Sequence, residues 1–346
     1  MMKSIKILIY FLLKYTGAFG ISRKIQHKKL RILCYHGIAF QDEHVFKPTL
    51  FMTEELFRHR MDLLVKSGYQ VISLAAAVKG LKKGNLPDNS VVITFDDGWE
   101  GTFSKALPIL QQHDFPVTIY ITSYYAEKQV PVLNVFLQYL FWKSPLKQID
   151  LVSLQLDGLS GKMNTADKTQ REETVNRILD HLEAHYPLPQ RYFFCETIGQ
   201  VLQVNIEEIK QKKMFMLAGP DMIAASAQYE GVDIELHTHR HVLPDTSFDA
   251  CAGEVRENQK ILERWTGKTP VHFCYPHGWY TDDHFNWLPK LGLKSAVTVC
   301  PGLNDRHHNI MALDRFLDGQ SISRLEFEAE LCGIASVIRK IYILCQ

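Results

Sequence analysis

The sequence predicts an α/β fold built on a parallel sheet or barrel, and three observations lead there. Short apolar runs recur along the chain, and most lack the alternation of a half-exposed strand, so they read as strands buried on both faces. Stretches with helical periodicity separate them. Polar residues gather just after the runs, on the side where α/β barrels carry their sites.

The first run is Arg31-Ile32-Leu33-Cys34-Tyr35, closed by His36. Thr53 can cap a helix whose face carries Phe57, Met61, Leu64 and Val65. Gly68 ends it, and Tyr69 to Ile72 begins a short strand. Gly80, Gly84, Asn85, Pro87, Asp88 and Asn89 predict a loop over 80–90. Val91-Val92-Ile93-Thr94-Phe95 then runs straight into Asp96, Asp97 and Gly98. Two unpaired carboxylates cannot be buried side by side without a cost of several kcal/mol or protonation of one. Their place is therefore a strand mouth facing a cation, with Gly98 turning the chain; an ordinary Asp-Gly turn is the plainer alternative. Phe103 to His113 predicts a helix bent at Pro108, and Val117 to Ile121 the next strand.

Residues 123–215 break this rhythm and read as a mainly helical insertion, with one face on Leu133, Phe136, Leu137, Leu140 and Phe141 and another on Val175, Ile178, Leu179 and Leu182. Lid, specificity element, membrane-facing cap and plain scaffold all remain open for it. The rhythm returns with Val232 to Leu236, followed by His237-Thr238-His239-Arg240-His241. A helix over 249–265, a strand at Val271–Tyr275, a Pro276-His277-Gly278 turn, a helix around Asp282–Leu291, a strand at Ser295–Val299 and a last strand near Leu313–Phe316 complete the series.

The chain has 346 residues, 46% of them hydrophobic, and a formal net charge of +1. That is ordinary globular composition, and the near-zero charge argues against bulk nucleic-acid binding. The cysteines at 34, 195, 251, 274, 300, 332 and 345 are odd in number and form no C-x-x-C pair, which favours reduced, buried thiols and a cytoplasmic setting. Residues 1–30 carry lysines and arginines among apolar residues and no acidic residue. The Ile7–Leu13 run is too short to span a bilayer, and Lys14 closes it too early for a signal peptide. A basic amphipathic helix on an anionic membrane surface, at the inner face, fits this segment; a helix packed on the domain with solvated lysines is the alternative. The C-terminal segment 321–346 is similar in kind and is expected to pack beside it, leaving 31–320 as the main domain.

His237 and His241 are four residues apart, and on a helical turn they share a face, as two imidazoles on one metal ion must. One carboxylate and two imidazoles leave coordination positions open, which is a catalytic pattern rather than a structural one. Zinc suits such a set; cobalt, nickel, iron and manganese tolerate it.

In order and content these motifs resemble the polysaccharide deacetylase (NodB-homology, carbohydrate esterase family 4) superfamily: Thr94-Phe95-Asp96-Asp97-Gly98, then His237-Thr238-x-x-His241, then Phe273-Cys274-Tyr275-Pro276-His277-Gly278. The resemblance covers roughly Arg31 to Phe316, outside the insertion. It implies a distorted (β/α) barrel and a metal-dependent hydrolase that removes N-acetyl groups from amino sugars of a glycan or lipid-linked intermediate. Asp97, His237 and His241 would bind a divalent metal, and Asp96 would be the base acting on metal-bound water. The backbone after Tyr275 and Pro276, near His277, would face the oxyanion. Two departures stand out. Many members carry an arginine where this chain has Cys274, and a late Leu-x-His is absent. The opening Cys34-Tyr35-His36-Gly37-Ile38 is similar to the start of a permuted branch acting on poly-N-acetylglucosamine-type glycans, which makes His36 the candidate acid. Arg315 is the candidate to orient Asp96, with a structural ion pair as its alternative. His239 and His272 read as supporting or bland, and His307-His308 as a solvated loop pair. Deformylase, O-acetyl esterase and an inactive glycan-binding protein are the rival functions; a two-metal phosphoesterase would need more ligands than the sequence gathers.

Overall fold

The apolar runs pair into one eight-stranded sheet. A computed structural model describes residues 2–156 and 158–344. In space the strands run Ser295–Val297, His272–Cys274, Val232–Leu236, Val117–Ile121, Ser90–Phe95, Arg31–Tyr35 and Phe316–Leu317, with Gln70–Val71 beside Ser90–Phe95. Every pair in this sheet is parallel. The Ser90–Phe95 strand is buried at each residue, as a doubly covered strand requires. Registers such as Phe95↔Ile119, Ile121↔Leu236 and Leu236↔Phe273 align the strand ends. Asp96, Asp97, Thr122, His237 and Tyr275 therefore leave the sheet at one rim.

The sheet curls as a distorted (β/α) barrel does, and one short segment joins its edges. Leu313 bridges Val297 on one edge, while Phe316 and Leu317 pair with Leu33 and Cys34 on the other. Arg315 lies within this seam.

Several local expectations change. Residues 80–83 belong to a helix, Leu74–Lys83, capped by Ser73 and ended by Gly84 at φ 68°. Leu74, Ala77, Val78 and Leu81 form its buried face. Gly80, which suggested a loop, instead lets Leu86 pack against the helix: a Cβ there would lie 2.8 Å from Leu86 Cδ2. Val65 is 52% exposed, so the buried face of helix Glu54–Lys66 rests on Phe57, Met61 and Leu64. A π-helical turn, Thr102–Ala106, precedes the helix Leu107–Gln112; Pro108 sits in the first turn, where its missing N–H needs no partner. His308 is not merely solvated, since it meets Asp305 at 3.2 Å and Asp314 at 3.7 Å.

Residues 123–215 contain the helices Ser123–Lys128, Leu133–Lys143, Lys168–His185, Leu188–Leu202 and Ile206–Gln211, and a hairpin of Gln148–Asp150 with Lys162–Asn164 that periodicity did not reveal. The N-terminal segment forms two helices, Met2–Tyr15 and Ala18–Ile25, at 81° to each other. Gly17, at φ 82°, makes the corner. No single helix among the described residues is long and apolar enough to cross a membrane, although this bent pair passes by length and composition. Tyr10 and Phe19 pack against Ala329, Cys332 and Ala335 of the C-terminal helices. Lys6 pairs with Glu326 at 3.2 Å, and Lys14 with Glu328, so part of the basic charge ties the helix to the body.

Candidate active site

The site grows from the end of the Ser90–Phe95 strand. Asp97 adopts φ 69° and Gly98 φ 91°, a turn closed by the Gly98 N–H donating to the Asp96 carbonyl at 2.8 Å. A Cβ on Gly98 would fall 2.7 Å from Ile121 Cδ1, so both conformation and space demand glycine. The two adjacent carboxylates thereby part company: Asp96 turns toward the barrel seam, Asp97 toward the histidines.

Asp97 Oδ1 lies 3.3 Å from His237 Nε2 and 3.4 Å from His241 Nε2, and the two ring nitrogens are 3.2 Å apart. Ligand atoms on a tetrahedral cation with bonds of about 2.0–2.1 Å stand about 3.3 Å from one another. The triangle thus fits one face of such a coordination sphere, and its other positions open toward the cavity. His237 Nδ1 lies 2.9 Å from the Cys274 carbonyl, a contact that fixes the N–H there and leaves Nε2 its lone pair. Burial, above all, pushes His241 down to about 3, which favours the neutral ring. Trp99 Nε1–H donates to the other Asp97 oxygen at 2.8 Å and completes the support of the ligand set.

The expected spacing of the histidines holds, but its cause does not. They lie on no helical turn; Thr238 at φ 63° and His241 at φ 61° curl an irregular loop instead. Asn258 anchors this loop, its Oδ1 accepting from the His237 N–H at 3.1 Å and its Nδ2 donating to Ser123 Oγ at 2.9 Å. Ser123 Oγ also meets His239 Nδ1 at 2.9 Å, which makes His239 a strut of the loop. His272 Nδ1 lies 2.7 Å from Ser295 Oγ, in the neighbouring strand.

Asp96 is 2% exposed and held in a fork. Arg315 donates to both its oxygens at 2.7 Å, and to the Thr298 carbonyl at 2.7 Å and Thr94 Oγ1 at 3.1 Å. Burial alone would raise the Asp96 carboxyl, but the Arg315 charge and its two hydrogen bonds hold it well below the usual carboxylate range. The thiols of Cys34 and Cys274 each approach Asp96 Oδ2 at 3.4 Å. Burial pushes both thiols up, so they stay protonated as weak donors. Cys300, by contrast, is exposed, against the expectation of buried thiols throughout.

His36 Nε2 lies 4.0 Å from Asp96 Oδ2, and its buried Nδ1 has no partner among the described residues. Pro276–Gly278 forms a single helical turn with His277 at φ 57°, and the His277 ring packs on His241 with centroids 4.4 Å apart. Tyr275 turns away, its hydroxyl donating to the Met311 carbonyl at 2.8 Å.

These groups share a cavity of about 420 Å³, lined by His36, Asp96, Asp97, His237, His241, Tyr275 and His277. Tyr125, Val132, Asn134, Val135 and Glu183 line its other wall. After residues 123–215 the chain returns over the Asp97–Gly98 turn: Ala218 N–H donates to the Gly98 carbonyl at 2.9 Å and Glu100 N–H to the Met216 carbonyl at 3.0 Å.

A curled parallel sheet with a carboxylate–imidazole triad at its rim and an arginine-held second carboxylate is an arrangement of the NodB-homology class. The sequence profile of the polysaccharide deacetylase family matches residues 83–193 and 163–296. The chain belongs to the polysaccharide deacetylase family, whose members are carbohydrate-deacetylating hydrolases. It is 31% identical over 303 residues to YxkH of Bacillus subtilis strain 168, a protein described by family as a polysaccharide deacetylase; the match takes in 87% of this chain and 75% of that one. It is 29% identical over 91 residues to the poly-beta-1,6-N-acetyl-D-glucosamine N-deacetylase of Escherichia coli K12, where it spans 26% of this chain and 13% of the relative. Solved structures share the fold: the Streptococcus pyogenes deacetylase PplD with acetate (TM-score 0.53, 17% identity, 88% of this chain and 98% of that one) and IcaB from Ammonifex degensii (0.54, 15%, 88% and 97%).

Proposed function

We propose that the protein is a metal-dependent N-deacetylase acting on an amino sugar of a glycan or lipid-linked glycan. The observation that carries this is the Asp97–His237–His241 triangle set beside an arginine-held Asp96 in one cavity. Asp97, His237 and His241 would hold a divalent cation, zinc first by its liking for nitrogen and oxygen ligands. When bound, the cation supplies Lewis-acid activation of water and of the amide carbonyl. Asp96 accepts the proton of the attacking water, and Arg315 keeps it ionised and aimed. Because that pairing also makes Asp96 a weak base, the proton passes on to the sugar nitrogen as the C–N bond breaks and acetate leaves. His36, 4.0 Å away, is the group placed to protonate the leaving nitrogen. The His277 backbone N–H stabilises the developing oxyanion, and the residues of 123–215 that line the cavity receive the sugar.

Metal content and acetate release test this together. The wild type is expected to bind one divalent ion per chain and to release acetate from N-acetylated glycans. His237→Ala with His241→Ala is expected to lose both. A wild type without bound metal would sink the reading, and product mass would distinguish formyl or O-acetyl chemistry.

We further propose that the enzyme works at a membrane surface, on the cytoplasmic side. Ile5, Leu8, Phe11, Leu12, Ile21 and Ile25 are 51–71% exposed on the two N-terminal helices. That apolar surface, in a segment without acidic residues, supports an interfacial helix pair. Free thiols at 34, 195, 251, 274, 300 and 332 support a reducing compartment. Leu8→Asp with Leu12→Asp is expected to abolish flotation with anionic vesicles while leaving acetate release from short soluble sugars unchanged. Equal flotation of both proteins would contradict this placement.

A further inference from the structure

The cavity of the candidate site has a neighbour along helix Leu133–Lys143, and one residue lines both. A second cavity, of about 370 Å³, is lined by Phe46, Lys47, Gln138, Trp142, Lys168 and Arg171, together with Glu172. Lys47 lines both cavities. The connecting wall is helix Leu133–Lys143, and its residues show why the two spaces form a track. Asn134 faces the first cavity, Gln138 and Trp142 the second. These positions are spaced i, i+4, i+8, so they fall in one stripe about 12 Å long. The stripe is knit together: Lys47 Nζ donates to Gln138 Oε1, and Gln138 Nε2 donates to Asn134 Oδ1 at 2.5 Å.

Amide groups and an indole face are what a sugar residue meets in a binding groove: the amides satisfy hydroxyls and the ring covers the apolar face of a pyranose. The charge here is unusual. Lys47 is half-buried, yet among the described residues it forms no ion pair with a carboxylate; its only polar partner is a neutral amide. Burial lowers its proton affinity, and the Glu172 carboxylate, itself paired with Lys168, offsets this only in part. Of the other charged groups lining the space, Lys168 and Glu172 lie 3.7 Å apart as a pair. Arg171 donates to the Thr165 carbonyl and keeps its charge uncompensated there. The lining therefore carries an excess of positive charge that the protein itself does not neutralise.

We propose that this track is a second glycan subsite, which takes a neighbouring residue of the substrate bearing an anionic group, paired with Lys47. The inference rests on the deacetylase reading, since it extends the same cavity, but its test is one of binding. Three probes would be titrated calorimetrically against the full chain in the presence of zinc: neutral chitotetraose, a hyaluronan tetrasaccharide with its carboxylates, and UDP-N-acetylglucosamine with its phosphates. At least one anionic probe is expected to bind about tenfold more tightly than chitotetraose, and which one does so identifies carboxylate or phosphate as the anion. That preference should vanish in Lys47→Met, which keeps the stem and removes the charge, and should fade in the wild type as salt rises. Trp142→Ala should weaken the preferred anionic probe and chitotetraose alike. Equal affinity of the wild type for all three probes, binding of none, or a preference untouched by Lys47→Met would each overturn the proposal. Loss of acetate release with the binding preference intact would instead count against the deacetylase reading.

Discussion

An Asp96→Asn variant is expected to release acetate about 10³-fold more slowly than the wild type while still binding one divalent ion. Removing a positioned general base typically costs 10²–10⁴-fold. The metal ligands are untouched, because the turn at Asp97 and Gly98 points the two carboxylates apart. The substitution also leaves the Arg315 guanidinium, 0% exposed on its side chain, without a counter-charge. Stability should therefore fall as well, by about 3–5 kcal/mol, the usual penalty for orphaning a buried charge. Inductively coupled plasma analysis, acetate assay and denaturant unfolding on one preparation would check all three. Full turnover in this variant would remove Asp96 from the mechanism, and a wild type without turnover whose glycan binding the substitution leaves intact would favour a glycan-binding protein.

Arg315→Met is the second large effect, and it approaches the same pair from the other side. Asp96 would then sit buried with two thiols at 3.4 Å and His36 Nε2 at 4.0 Å, and with no arginine to pair with. An unpaired carboxylate in such a place protonates, and a protonated carboxyl takes no proton from water. Turnover should drop at least about 10²-fold and stability by about 3–5 kcal/mol. Adding Asp96→Asn to Arg315→Met should cost much less stability than the sum of the single changes, the mark of a coupled pair. What separates a positioning role from a merely structural one is rescue. Cys274 Sγ lies 3.2 Å from the Arg315 guanidinium and 3.4 Å from Asp96 Oδ2, so Cys274→Arg can approach the same carboxylate from the end of strand His272–Cys274. Arg315→Met with Cys274→Arg is expected to recover acetate release in part. If stability returned without turnover, the arginine would be a structural partner alone.

The residues that announced the site were those at the ends of continuous apolar runs, because a buried parallel strand cannot hide its polar terminus. Asp96, Asp97 and His237 declare themselves in this way, and so does the sheet that carries them. Local conformation was less legible where one residue type serves two ends. Gly80 reads as a loop residue, yet its bare Cα is what lets Leu86 seat against a helix. The four-residue spacing of His237 and His241 fits a helical turn, yet two left-handed residues produce the same convergence. Least legible were contacts between segments far apart in sequence. The thiols of Cys34 and Cys274 both point at Asp96, and nothing in their neighbours says so. Trp99 was closer to hand: it follows the Asp-Asp-Gly turn directly, where an indole N–H can reach back to the carboxylate.

The seam at 313–317 has a bearing on when the enzyme becomes an enzyme. Leu313 clasps one edge of the sheet and Phe316–Leu317 the other, while Arg315 between them reaches the base. Asp96 is synthesised 219 residues before the arginine that aligns it. A chain made as far as Cys274 would therefore hold Asp97, His237, His241 and the groups that brace them, and would still lack the arginine that aligns Asp96. Only the last segment of the sheet to be made both closes the barrel and gives Asp96 its arginine partner. On the proposed mechanism, truncation at this one seam is expected to abolish acetate release while divalent-ion binding persists.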